Sequence, residues 1–227
     1  MTLAARLADV DARIADAARS AGRDPAGITR IVVTKFHPPQ LVEDLYGLGV
    51  RDVGENRQQE LTAKSARLTG LDGLRWHFIG QGQTNKARAI RAVSSVVHSI
   101  DRDRLADALH AADPDGEPLD VLLQVNLTDD PRRGGVAPDG AARLAEHVTA
   151  SCPSLRLRGV MAVAPLGEDP APAFARLADV SSVVRGVAPD AAWISAGMTG
   201  DFAEAIAAGA THLRIGTAIT GPRPPHD

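Results

Sequence analysis

Aromatic residues make up only 3% of the 227-residue chain. Its core must therefore be built from Ala, Val, Leu and Ile, and a surface for stacking bases is not expected. There is one cysteine, Cys152, which excludes an internal disulfide framework, a multi-cysteine zinc site and a CxxC redox pair. No apolar run approaches the roughly 20 residues that cross a bilayer. Neither charge dominates: 25 Lys and Arg stand against 28 Asp and Glu, a net charge of −3. The basic excess of a nucleic-acid or membrane-surface protein is missing. Asp9 and Asp11 follow the first residues closely, so the start does not read as a signal peptide. These features describe a soluble, cytoplasmic globular protein, large enough to bury about three quarters of its unfolded surface around one core.

What is present is alternation. Leu3, Leu7, Val10, Ile14, Ala17 and Ala21 recur at helical spacing, with Thr2 placed to cap the start and Gly22 the end. Eight short β-branched runs then follow: 30–35, 51–55, 76–80, 96–100, 121–126, 157–163, 193–197 and 213–218. Helical patterns separate them, at about 39–49, 57–69, 84–92, 102–112, 138–150, 170–187 and 201–209. Strand-then-helix alternation means parallel strands joined by right-handed crossovers. Eight units predict a single (β/α)8 TIM barrel with an extra N-terminal helix, one domain over residues 1–227. The alternative is an open doubly wound sheet, which lacks a GxGxxG after the first strand. Gly221 to Asp227 is too proline-rich for a helix, so the N-terminal helix is expected to fill the outer position left bare after the eighth strand.

In such barrels, chemistry sits at the C-terminal ends of the strands. The residues there are Lys35; Glu55 and Asn56; the 80–83 turn; Ser99 and Asp101; Asn126; Ala164 and Pro165; Ser195, Gly197 and Met198; and Gly216 and Thr217. Lys35 reads either as a solvated lysine or as an amine desolvated in the barrel mouth and available to a carbonyl. The small residues after strands seven and eight serve tight turns or cradle a phosphate. Thr199 or Asp201 is placed to cap the helix that follows. Arg214 shares a face with Gly216 and points either into the barrel or out to a helix carboxylate. His77, His98 and His147 lack metal-ligand spacing, and no metal site is expected. Asp101 and Asp103 read as helix caps. No GxSxG elbow or Walker loop is present.

Several blocks together resemble one family. They are Val32-Val33-Thr34-Lys35, Asp52-Val53-Gly54-Glu55-Asn56, Trp76-His77-Phe78-Ile79-Gly80, Gln83-Thr84-Asn85-Lys86 and Val97-His98-Ser99-Ile100-Asp101. Gln124-Val125-Asn126, Gly159-Val160-Met161, the 195–202 run and the 214–221 run continue the series. In order and over nearly the whole chain, they resemble the pyridoxal phosphate homeostasis (PLP-binding) proteins. The resemblance implies a barrel like the N-terminal domain of alanine racemase, with pyridoxal 5'-phosphate (PLP) at its mouth. It implies a Schiff base on Lys35, Asn56 close to the cofactor, and phosphate held by Ser195, Gly197, Met198, Gly216 and Thr217. It places Arg214 at the pyridine nitrogen, where a cation keeps the ring a poor electron sink.

It also implies a carrier of PLP with no catalytic residues of its own, serving PLP-requiring apoenzymes, expected to be a monomer. An amino-acid racemase is the alternative, and a PLP-free barrel enzyme acting on another phosphate compound a more distant one. Racemases of this fold need a second-face tyrosine from another domain. This chain stops after one barrel, and its one tyrosine, Tyr46, falls in a helix. The chain departs from the family pattern at Arg57, Gly82, Ala196 and Thr199.

Overall fold

In the computed structural model, which describes residues 1–222 (except the side chain of Pro131), eight parallel strands close into a barrel in sequence order. The strands are β1 (Thr29–Val33), β2 (Asp52–Glu55), β3 (Arg75–Phe78), β4 (Val96–Ile100), β5 (Leu119–Gln124), β6 (Leu155–Met161), β7 (Trp193–Ser195) and β8 (His212–Ile215). β8 pairs back onto β1, with Ile31 beside Arg214. The helices are α1 (Leu3–Ser20), α2 (Pro39–Gly47), α3 (Gln58–Arg67), α4 (Ala87–Arg91), α5 (Asp103–Ala112), α6 (Ala141–Ser151), α7 (Pro170–Val187), α8 (Phe202–Ala207) and α9 (Thr217–Thr220).

The sheet has two faces with different contents. Outward residues such as Val32, Val53, Val97, Val121, Val160, Leu213 and Ile215 pack under the helices in one continuous apolar layer. Inside the barrel the apolar cluster is small: Val96, Leu122 and Met161, with Trp193 against them. Much of the rest of the interior is polar, because alternate residues of a strand face the same way and the inward set includes His77, His98, Ser195, His212 and Arg214, all buried.

α1 covers the gap beside the single turn of α9. Thr2 caps it by accepting from the Ala5 N–H, and Leu7, Val10, Ile14 and Ala18 form its buried stripe. It lies against α8 and α9. Arg6 Nε donates to the Ile219 carbonyl at 2.7 Å, and Arg23 donates to the carbonyls of Ile206 and Ala210. The helix expected at 84–92 divides into a 3-10 turn, Thr84–Lys86, followed by α4. The one expected at 138–150 likewise begins as a 3-10 turn. The tail from Gly221 lies, beyond Pro222, outside the described residues.

Candidate functional site

β1 stops two residues short of the expected end, and Lys35 sits in a turn closed by the His37 N–H donating to Thr34 O. Phe36 is held at φ +67, a conformation that costs a non-glycine residue about 1–2 kcal/mol. α3 holds this turn on both sides of Lys35. Lys64 Nζ donates to Thr34 O at 2.8 Å, and the Phe36 N–H donates to Glu60 Oε2 at 2.8 Å. Lys64 is itself buried and pairs with Glu55 Oε1 at 2.6 Å. Thr34 Oγ1 donates to the same oxygen. Burial pushes the Glu55 carboxyl above the usual range, against the pull of Lys64 and Thr34.

Lys35 is half-buried, with Nζ 5.9 Å from the centre of the Phe36 ring. The Arg57 guanidinium stands 5.0 Å from the same ring. Because Val33 pairs with Gly54, the Lys35 turn and Asn56 follow neighbouring strand ends. The Asn56 Oδ1 is buried and has no hydrogen-bond partner among the described residues. A polar cleft of about 500 Å³ opens beside it, lined in part by Arg57, Gln81, Gln83 and Lys86. Gly82 is buried, and a side chain there would meet Leu105 at 2.7 Å. The place of an apolar loop residue is thus taken from α5.

On the other side of the mouth, Arg214 points into the barrel and is 5% exposed. Its Nη1 donates to the Ser195 hydroxyl at 2.7 Å and its Nη2 to Ala162 O at 2.8 Å. Burial lowers its pKa to about 10, with Asp201 opposing, so it remains a cation at neutral pH. The Ser195 Oγ also lies 2.9 Å from His98 Nδ1. Ser195 is fully buried and bonded to these two partners.

The Met198 N–H is likewise already taken, by Asp201 Oδ1 at 2.6 Å. Asp201 therefore ties the loop rather than capping α8 with its side chain. Gly197, at φ +92, lets this loop lie on α8, where a Cβ would meet Ala205 at 2.8 Å. The N–H groups of Thr199, Gly200, Thr217 and Ala218 have no hydrogen-bond acceptor among the described residues. Gly216 lies against Val33 at the end of β1, which brings the β8 loop beside the Lys35 turn.

Of the remaining candidates, Asp101 and Asp103 do not cap α5; they pair with Arg102 and Arg143. His147 does find neighbours in space, Asp107 and Cys152. Its Nε2 lies 2.7 Å from Asp107, and burial foremost pushes the Cys152 thiol up to about 11. Glu55 stands among the strand-end residues, but its partners Lys64 and Glu60 escaped that reading; their i and i+4 spacing in α3 was the available signal. Asp52 was missed because it stands at the far end of β2.

The assembled mouth offers an amine, a guanidinium and two loops of unused amide donors. A ligand with a carbonyl carbon, a ring acceptor and an anionic group would meet all three. The unpartnered Asn56 oxygen marks the same place.

Residues 32–224 match the family model described as alanine racemase, N-terminal domain. The pyridoxal phosphate homeostasis protein of Pseudomonas aeruginosa is 41% identical over 98% of this chain and 96% of its own. That of Escherichia coli is 37% identical, with 97% of each covered. Among solved structures, PipY of Synechococcus elongatus with PLP bound superposes at a TM-score of 0.84 and 34% identity, over 97% of this chain and 100% of that one. Alanine racemase from Corynebacterium glutamicum shares the fold at 14% identity, with a TM-score of 0.70 over 95% of this chain and 61% of that one. By these matches the chain belongs to the alanine racemase N-terminal domain family and, within it, to the pyridoxal phosphate homeostasis proteins.

Proposed function

We propose that this protein binds PLP covalently through Lys35 and holds it for cellular PLP homeostasis without turning over a substrate. The observation that carries this reading is the pairing of β1 with β8. It sets the Lys35 turn beside the buried cation Arg214 and the donor-bearing 216–218 loop. When bound, PLP supplies an aldehyde whose carbon condenses with a primary amine, releasing one water. The α3 clamp fixes the backbone on both sides of the amine that reacts. Arg214 presents N–H groups to a ring nitrogen and disfavours its protonation, which limits carbanion chemistry. Asn56 Oδ1 takes a hydrogen-bond donor. The free amides of 199–200 and 217–218, made approachable by Gly197 and Gly216, receive the phosphate. Met198 and Ser195 shape these loops rather than contact the anion with their committed groups.

The racemase alternative needs an acid on the second face of the ring. Tyr46 does not supply it: its hydroxyl donates to Asp72 O and its ring carries Arg51 at 3.8 Å, on the outer layer. On this reading the protein works in the cytoplasm as a monomer, with PLP-requiring apoenzymes as its recipients. Borohydride treatment of the PLP-loaded protein should leave a pyridoxyl group on Lys35, and Lys35→Ala should abolish it. Labelling of the variant elsewhere, at Lys86 for instance, would overturn the assignment. Alanine racemisation at about 1 per second or faster would overturn the carrier reading.

A further inference from the structure

The barrel interior carries an unbroken line of hydrogen bonds from buried Arg214 to half-buried Asp52 at the opposite end of the sheet. Arg214 Nη1 meets Ser195 Oγ at 2.7 Å, and Ser195 Oγ meets His98 Nδ1 at 2.9 Å. His98 Nε2 meets His77 Nδ1 at 2.9 Å, and His77 Nε2 meets Asp52 Oδ1 at 2.8 Å. Ser195, His98 and His77 are each fully buried. Five strands contribute, β8, β7, β4, β3 and β2, so the line crosses the barrel rather than following one strand.

The two ends fix the protons between them. A guanidinium has donors only, and an ionised carboxylate has acceptors only. Burial raises the Asp52 carboxyl, but the His77 hydrogen bond and the charge of Arg75 bring it below the usual range. It is therefore ionised at neutral pH. Burial lowers both His77, against the pull of Asp52, and His98, where the charge of Arg214 adds to it. Both rings are then neutral, with one N–H each.

Starting from Asp52, His77 must carry its proton on Nε2, which leaves Nδ1 to accept. His98 must then donate from its own Nε2 and accept at Nδ1. The Ser195 hydroxyl must donate to His98, which leaves its lone pairs for Arg214. Every donor points the same way, from the mouth towards Asp52. Such chains polarise cooperatively in a low-dielectric interior.

We propose that Asp52, His77, His98 and Ser195 are positioning residues for Arg214, and that Asp52 sets the direction of the whole chain. The role rests on the PLP-binding reading, since its purpose is to hold the guanidinium against the cofactor ring. Without the Asp52 charge the direction is no longer dictated. A His98 carrying its proton on Nδ1 would donate to Ser195, and the serine proton would then compete with Arg214 for the same space. A residue at the far end of β2, outside the mouth, thereby controls which face of Ser195 the arginine meets.

The first measurement needs no variant. Nitrogen-15 imidazole NMR of the full chain at neutral pH should show His77 and His98 neutral and protonated on Nε2. An Nδ1-protonated or charged form of either ring would overturn the proposal. The second uses Asp52→Asn and Ser195→Ala, with PLP and phosphate-free pyridoxal as probes, followed by absorbance and borohydride trapping on Lys35. Both variants should bind both probes on the order of tenfold more weakly, as outer hydrogen-bond partners act on a bound group. The bound-state absorbance band should shift, and Ser195→Thr should restore much of the loss. Unchanged band and affinity in folded Asp52→Asn would overturn the role. A loss confined to PLP in Ser195→Ala would put that hydroxyl on the phosphate instead. Failure of the wild-type protein to label at Lys35 would refute PLP binding itself, a result distinct from either.

Discussion

A buried cation with only neutral partners in direct contact has to be held in place by geometry. Arg214 donates to a hydroxyl and a carbonyl, and no salt bridge to it occurs among the described residues. Replacing it tests the ring contact directly. Arg214→Gln keeps a hydrogen-bonding side chain but removes the charge. Loss of one charge-assisted contact is expected to weaken PLP binding about ten- to a hundredfold, from roughly 1.5–3 kcal/mol. The absorbance band should change while Lys35 still takes the borohydride label. Arg214→Glu should go further, because it favours a proton on the ring nitrogen. Wild-type band and affinity in both variants would remove Arg214 from the cofactor. At this scale the pattern shows that Arg214 shares a face with Gly216, but not which face; its inward direction is seen only in the closed barrel, where β8 pairs with β1 and the side chain is buried. The bonds of Ser195 were not legible either. Its partners His98 and Arg214 come from other strands, and local spacing carries no record of which hydroxyl they will meet.

Among the elements, α3 stabilises the site without lining its chemistry. Through Lys64 and Glu60 it holds the backbone on both sides of Lys35. Removing one partner of a buried ion pair leaves an uncompensated charge, at a cost of about 3–5 kcal/mol. Lys64→Met should therefore lower the urea midpoint markedly, since it strands the Glu55 carboxyl. The double change Lys64→Met with Glu55→Gln should recover part of the loss. A midpoint for Lys64→Met within experimental error of wild type would show that the pair contributes nothing net. The elements themselves were largely readable: all eight strands and the covering role of α1 follow from hydrophobic rhythm. Strand ends were overshot at β1, β3, β5, β6, β7 and β8. At the mouth the ladder gives way to turns such as that of Thr34–His37, even though the residues still look β-prone. Val33-Thr34-Lys35 reads as strand, but the bonds to Lys64 and Glu60 bend the chain into a turn.

For the whole molecule, acid is the sensitive direction. His77, His98 and His212 are buried and their pKa values are lowered, that of His212 to about 3, chiefly by burial. In the unfolded chain each titrates near 6.5. Below that value the unfolded state takes up protons that the folded state refuses, so stability falls as pH falls. The loss runs from about pH 6.5 down towards the folded values, at up to about 1.4 kcal/mol per pH unit for each histidine. Asp52, with its lowered pKa, adds to the loss in the same direction once the pH drops below its unfolded value. Thermal melts should therefore decline steadily between pH 7 and pH 5. A flat Tm over that interval would mean that these rings are charged, or reached by water, in the folded protein.

The burial of Cys152 gives the molecule a built-in clock. The chain has one sulfhydryl, fully buried where α6 hands over to β6, with its pKa raised to about 11. A thiol-specific dye has nothing to react with until that junction opens, so the rate of colour development counts openings. PLP held at the distant mouth protects the thiol only when the opening that exposes it also breaks the mouth. Comparing the dye's rate with and without PLP thus separates local fraying of the α6 end from disassembly of the barrel, without a single engineered label.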